Sequence, residues 1–440
     1  MLHLRLIEKK HWNFKLIVLA LIVINSIYWF QYLQKRNTEI IWKRNVFGDA
    51  SGYFVYLPSA FIYHFNANEF RKKFETRINE KGEMEEVGCG FKIQNNKIIT
   101  KYFYGIALLQ APVYALIHLG YKLAGIDGDG FNGLYEQATI ISSIIYYILS
   151  LLLLFKLLKS KTNGVIALTS ILFTVFGTNV IYYFAGNPGY AHAYLFFLFS
   201  AFLYSSNQFS KTESLKSSVP IYAIAGLIAV IRPIHLIFLL AFFVENNFRK
   251  CIKLLTPKHL LIGVVAIVVI IFPQLLYYKY LSGNWLYYSY GDETFTNILN
   301  PSLIKFYFST NNGLFVYNPI WLILLFSAFF LLFTKYRRAA IISISLFLVN
   351  SYLCASWHNW NFGCGYGSRN FVEYAALFSL MYAYILQAIQ LRWKIFTIIA
   401  LSFFLTSINF IFMYNFDKCY FGKGDWDWNF VKKEYSCIKR

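Results

Sequence analysis

Four short stretches carry most of the polar residues of this chain that could do chemistry. The first is Gly48-Asp49-Ala50-Ser51-Gly52-Tyr53, a carboxylate among small residues. Such an acid can cap a helix or turn, or it can accept a proton from a substrate. The second is Lys101-Tyr102-Phe103-Tyr104-Gly105. The third, Arg232-Pro233-Ile234-His235, interrupts a long apolar run. A charge at membrane depth costs about 2.5–3.5 kcal/mol on insertion scales, so Arg232 is expected to face a polar cavity or an anionic group. Its other use would be to snorkel to the outer headgroups. Pro233 breaks the helix and frees backbone groups that also need partners near a cavity. His235, one turn on, suits either that cavity or ordinary packing.

The fourth stretch begins Trp357-His358-Asn359-Trp360-Asn361-Phe362-Gly363 and continues through Gly365-Tyr366-Gly367-Ser368-Arg369. Its glycines permit close backbone approach to a ligand, and Arg369 can grip a phosphate through two parallel hydrogen bonds. An interfacial aromatic belt would use Trp357, Trp360 and Arg369 equally well. His192, in Asn187-Pro188-Gly189-Tyr190-Ala191-His192, joins the candidates. P-loop, zinc, dinucleotide-binding and serine-elbow motifs are absent. The six cysteines have no metal spacing. No cofactor is implied. A divalent metal stays open through Asp292-Glu293, and a Cys419–Cys437 disulfide stays open if the tail is extracytoplasmic.

The elements that must position these residues follow from composition. The chain has 440 residues, 58% hydrophobic and only 14% charged, with a mean hydropathy of +0.46. That is an all-α polytopic membrane protein. Aromatics make up 20% of it, which suits lipid-facing helices and interfacial belts. The net charge of +20 is spread in short clusters between apolar runs, so it reports topology rather than nucleic-acid binding. The basic start, with Arg5, Lys9, Lys10 and His11, precedes an apolar run too long for a signal peptide, giving an uncleaved first span.

Candidate spans are 14–33, 135–158, 164–185, 191–206, 219–231, 234–244, 260–281, 314–334, 339–354, 371–390 and 395–416. Segment 104–123 is ambiguous. If it stays out of the bilayer core, the clusters Lys156/Lys159/Lys161, Lys211/Lys216, Arg249/Lys250/Lys253/Lys258, Lys335/Arg337/Arg338 and Arg392/Lys394 all face the cytoplasm. If it crosses, they all face outside, against the positive-inside bias. The expectation is therefore about 11 crossings, N-terminus cytoplasmic and C-terminus extracytoplasmic. Residues 1–416 form the membrane domain, with a long first outer loop over 34–134 bearing surface helices, and 417–440 form a short outer tail. This arrangement places all four stretches on the outer face of a plasma membrane, expected to be a bacterial inner membrane with the site toward the periplasm.

With its residues so arranged, the chain resembles the GT-C superfamily of integral-membrane glycosyltransferases, the group of protein O-mannosyltransferases and the lipid A aminoarabinose transferase. The resemblance rests on Asp49 in a long first outer loop and on Lys101 opening a surface helix. It also rests on the Gly226 to Arg232-Pro233 segment, on Gly313-Leu314-Phe315-Val316-Tyr317-Asn318-Pro319 and on the loop ending at Arg369. It implies a polyprenyl-phosphate-linked sugar donor, a lipid, glycan or protein acceptor, and inverting transfer on the outer face. Asp49 would be the general base, Lys101, Arg232 and Arg369 would hold the donor phosphate, and Tyr53, His192, His235, Trp357, His358 and Trp360 would shape the sugar and acceptor pocket. The chain departs from the group in having Ala50 where many members carry a second acid, and in lacking prolines after Lys101. Two other functions fit the same polar residues. A transporter or flippase of a lipid-linked saccharide would show structural repeats and midplane polar groups. An O-antigen polymerase or ligase would concentrate its arginines in large late outer loops.

Overall fold

The computed structural model describes residues 26–27, 31, 45–70, 90–131, 133–363, 365–416 and 424–436. Nearly all of the expected span 14–33, together with Cys364, Cys419 and Cys437, lies outside the described residues. The protein is mostly helical, as apolar sequence requires in lipid, because a helix satisfies its backbone hydrogen bonds within one segment. Among the described residues, five helices are long and apolar enough to cross a membrane. They are α3 (Gly105–Leu123), α4 (Leu134–Lys161), α11 (Pro257–Ser282), α15 (Arg337–Ser356) and α17 (Arg392–Asn415). Length and composition thus admit α3 as a span, although it is the least apolar of the five. Its buried face (Ile106, Ala107, Leu109, Gln110 and Tyr114) packs on α4 and on two short helices, the one that begins at Asp49 and the one that follows it.

Several expected spans are broken into shorter helices, each at a polar or proline step. Segment 164–185 divides into α5 (Gly164–Gly177) and α6 (Val180–Ala185) at Thr178-Asn179. Segment 314–334 divides into α13 (Leu314–Tyr317) and α14 (Ile320–Leu331) at Asn318-Pro319. The break at Arg232-Pro233 separates α8 (Leu215–Ala229) from a 3-10 run over Pro233–Ala241 that continues into α9 (Phe242–Glu245). Nine residues is long for a 3-10 helix, a form that often marks a functional position. Asn409 of α17 binds two of these breaks together. It donates to Phe176 O and Thr178 O at 2.8 and 3.1 Å, while Asn318 Nδ2 donates to its side-chain oxygen at 2.8 Å.

α16 (Ala375–Ala388) runs through the middle of the bundle, every residue from Ala375 to Ile385 buried, against α5, α14 and α7 (Ala191–Thr212). The other described helices are α1 (Asp49–Phe54), α2 (Tyr56–Phe61), α10 (Phe248–Leu254), α12 (Leu303–Phe308) and α18 (Trp428–Ser436). Among the described residues the only sheet is a hairpin, β1 (Phe91–Gln94) against β2 (Lys97–Thr100), with Phe91 opposite Thr100. Its turn residues Asn95 and Asn96 both have positive φ, 50° and 55°, which asparagine tolerates and a two-residue hairpin of this hand demands. The hairpin delivers Lys101 and Tyr102 to the head of α3.

Candidate active site

Asp49 is the first residue of α1, behind Gly48 at φ 58°. What brings other groups to it is Gly52. A Cβ there would sit 2.2 Å from the Tyr102 ring, so only glycine lets that ring lie on α1. The Tyr102 hydroxyl then donates to Asp49 Oδ1 at 2.6 Å. Thr100, ending β2, ties the hairpin down by donating to Gly52 O and Gly90 O at 2.9 and 3.1 Å. A second close approach joins this unit to the Arg232 break: Gly105 N donates to Val230 O at 2.8 Å, and a Cβ on Gly105 would lie 2.4 Å from that oxygen.

Arg369 arrives from the glycine-rich loop, where Gly367 adopts φ 64° and lies against Asn318. Its Nη1 is 3.1 Å from Asp49 Oδ2. The guanidinium lies over the rings of Tyr190 and Phe362, 5.7 and 5.9 Å from their centroids, an arrangement that orients the cation as well as attracting it. Arg232 Nη1 donates to Asn370 Oδ1 at 2.5 Å. Lys101 forms an ion pair with Glu293 and faces the rings of Tyr102 and Tyr290. Segment 283–302 is fastened over this side, with Ser289 Oγ donating to Lys101 O at 2.6 Å and His358 N to Thr294 O at 3.0 Å.

These groups share a cavity of about 900 Å³ whose wall includes Asp49, Lys101, Arg232, His235, Trp357, His358 and Arg369. The candidates from four distant stretches are therefore assembled in one place. Three others are not on that wall. Tyr53 is buried behind the wall with its ring 4.6 Å from that of Tyr102, and Trp360 packs against the hydrophobic core. His192 is wholly buried in the first turn of α7 and meets a group that sequence reading passed over, Glu373. The buried Glu373 carboxylate lies between two imidazoles, Oε2 at 3.1 Å from His192 Nδ1 and Oε1 at 2.7 Å from His235 Nε2. The signal for it was present in the sequence: an acid at the head of an apolar run is by default a functional hypothesis.

Asp49 owes its charge state to opposing effects. Burial pushes its pKa up, but Arg369, the Tyr102 hydroxyl, Arg232 and Lys101 together hold it below the usual carboxylate range. Burial and the neighbouring Asp49 charge push the Tyr102 phenol up, so it stays a donor. Asp49 is thus ionised at neutral pH. The expected metal site at Asp292-Glu293 meets a different use of Glu293, which is paired with Lys101. Among the described residues no group of three or more His, Cys, Asp or Glu side chains is arranged to hold a metal ion.

A second cavity of about 420 Å³, almost wholly apolar, opens between α2, α3 and α11. Its wall includes Tyr104 and Tyr277, next in sequence to Phe103 and Tyr278 on the wall of the first. An ionised carboxylate and three cations on one cavity wall can hold an anionic group and take a proton from a nucleophile, and the apolar recess can take an apolar chain. In comparisons with known proteins the chain matches no family model and no curated protein.

Proposed function

We propose that this protein is a GT-C-type membrane glycosyltransferase that moves a sugar from a polyprenyl-phosphate donor to an acceptor on the extracytoplasmic face. In this reading the chain makes about 11 crossings, with 104–123 on the outer surface. The observation that carries the proposal is the Asp49 carboxylate, kept ionised by Arg369 and Tyr102 in a cavity that also presents Arg232 and Lys101.

Asp49 takes the proton from an acceptor hydroxyl or amine as that group's lone pair forms a bond to the anomeric carbon. The bond from that carbon to the phosphate oxygen breaks on the opposite face, which inverts the centre. The electron pair leaves on the polyprenyl phosphate, where Arg232, Arg369 and Lys101 offset the developing charge, the larger electrostatic contribution. The apolar recess beside Tyr104 and Tyr277 takes the first part of the lipid chain.

The test uses the full chain in nanodiscs with a panel of synthetic polyprenyl-phosphate monosaccharides. Asp49→Asn is expected to bind polyprenyl phosphate while losing turnover by about a hundredfold or more, the lower end for a positioned proton acceptor. Near-normal transfer by that variant would remove Asp49 from the base role.

A further inference from the structure

Glu373 is unused by this mechanism, yet its burial is costly. A carboxylate withdrawn from water needs partners for both oxygens, and here each oxygen meets an imidazole from a different element. His192 comes from the first turn of α7, and His235 from the 3-10 run after Arg232-Pro233. Glu373 itself stands four residues after Arg369 and three after Asn370.

That spacing gives the two arginine-bearing segments two separate attachments. One is Arg232 Nη1 to Asn370 Oδ1, and the other is His235 Nε2 to Glu373 Oε1. A single contact between two segments leaves a pivot, whereas two contacts three residues apart on each side fix distance and angle together. His192 holds the carboxylate from a third direction. The imidazole of His235 is itself flanked by the Tyr374 ring, with centroids 5.8 Å apart.

We propose that Glu373 is a positioning residue for anion binding: through His235 and His192 it sets the separation of Arg232 and Arg369 to suit one phosphate group. The proposal rests on the reading of those arginines as the phosphate site. It requires the carboxylate and not merely the side-chain shape, because Oε2 is hydrogen-bonded to His192 Nδ1 while Oε1 lies 2.7 Å from His235 Nε2 in an ion-pair contact. A glutamine places a donor at one of these two oxygen positions.

The experiment measures farnesyl phosphate binding to the purified full chain in nanodiscs, alongside thermal unfolding. Glu373→Gln is expected to weaken binding by about tenfold or more, since small misplacements of binding groups are costly, while the affinity is read only on the folded fraction. A structural role alone would lower the unfolding temperature and leave that affinity unchanged. Asn370→Ala removes the other attachment, and its combination with Glu373→Gln is expected to cost less than the sum of the two single losses, because both act through Arg232. Should Glu373→Gln fail to fold, His235→Gln removes the same attachment and is expected to weaken binding likewise.

Wild-type affinity in Glu373→Gln or His235→Gln, with binding lost in Arg232→Ala, would overturn the positioning role and leave the phosphate site standing. Farnesyl phosphate binding that is indifferent to both Arg232→Ala and Arg369→Ala would instead sink the phosphate site, and the positioning role with it.

Discussion

Tyr102→Phe isolates the hydrogen bond that helps keep Asp49 ionised. The ring lies in a slot set by Gly52 and by Tyr53, 4.6 Å away, so phenylalanine fills the same space and only the 2.6 Å O–H donor is removed. A hydrogen bond to a charged group is worth about 1.5–3 kcal/mol, so losing this one should move the Asp49 pKa upward, toward the usual carboxylate range. The carboxylate side chain is 19% exposed, too little for solvent to screen the change away. Because the folded-state pKa is depressed, ionised Asp49 stabilises the fold above its unfolded pKa, and this stabilisation is lost as pH falls through the folded value. In the variant the loss begins at higher pH. Infrared titration of the full chain, using the carboxylic-acid band that disappears in Asp49→Asn, reads the shift directly. If the wild type and Tyr102→Phe titrate at the same pH, the hydrogen bond does not set the charge of Asp49 and the electrostatic argument fails.

The other predictions concern the remaining supports of the same carboxylate. Arg369→Gln removes the strongest influence opposing burial; the same titration should move Asp49 upward, the usual effect of losing an adjacent opposite charge, and farnesyl phosphate affinity should fall with it. Gly52→Ala puts a methyl group 2.2 Å from the Tyr102 ring. The ring must leave its slot, so the variant should show the Tyr102→Phe shift in Asp49 together with a loss of thermal stability of about 1–3 kcal/mol for overpacking. Stability unchanged from wild type would show that the slot is not filled as described.

The helical, membrane-type architecture was legible because long apolar runs dictate it. Arg232-Pro233 was legible because charge and proline together are incompatible with an uninterrupted lipid-facing helix. The subdivision at Thr178-Asn179 and Asn318-Pro319 was not, since hydropathy averages over a residue or two, whereas a tertiary partner such as Asn409 decides where the backbone bonds are given up. Asp49, Lys101, Arg232 and Arg369 could be nominated singly from residue type and local context. Their convergence depends on Gly52 and Gly105, whose use is a close contact with residues far along the chain. Trp360 has the composition of a pocket residue, but its neighbour Trp357 lines the cavity while it packs inward. Glu373 carried its signal, an acid inside the expected span 371–390, but its two imidazole partners come from distant elements that no local pattern connects to it.

Each cation on the cavity wall is already engaged within the protein: Lys101 by Glu293, Arg369 by Asp49 and Arg232 by Asn370. The cavity is accordingly not a sink for whatever anion is abundant. A small free anion gains a contact only by breaking one, and the exchange leaves a carboxylate or amide to be resolvated. An anion tethered to an apolar chain brings a separate gain at about 0.8 kcal/mol per buried CH₂, which does not depend on that exchange. On the proposed reading, discrimination between a lipid-borne phosphate and the dissolved ion then rests on this self-neutralisation of the wall and not on a filter of size or shape.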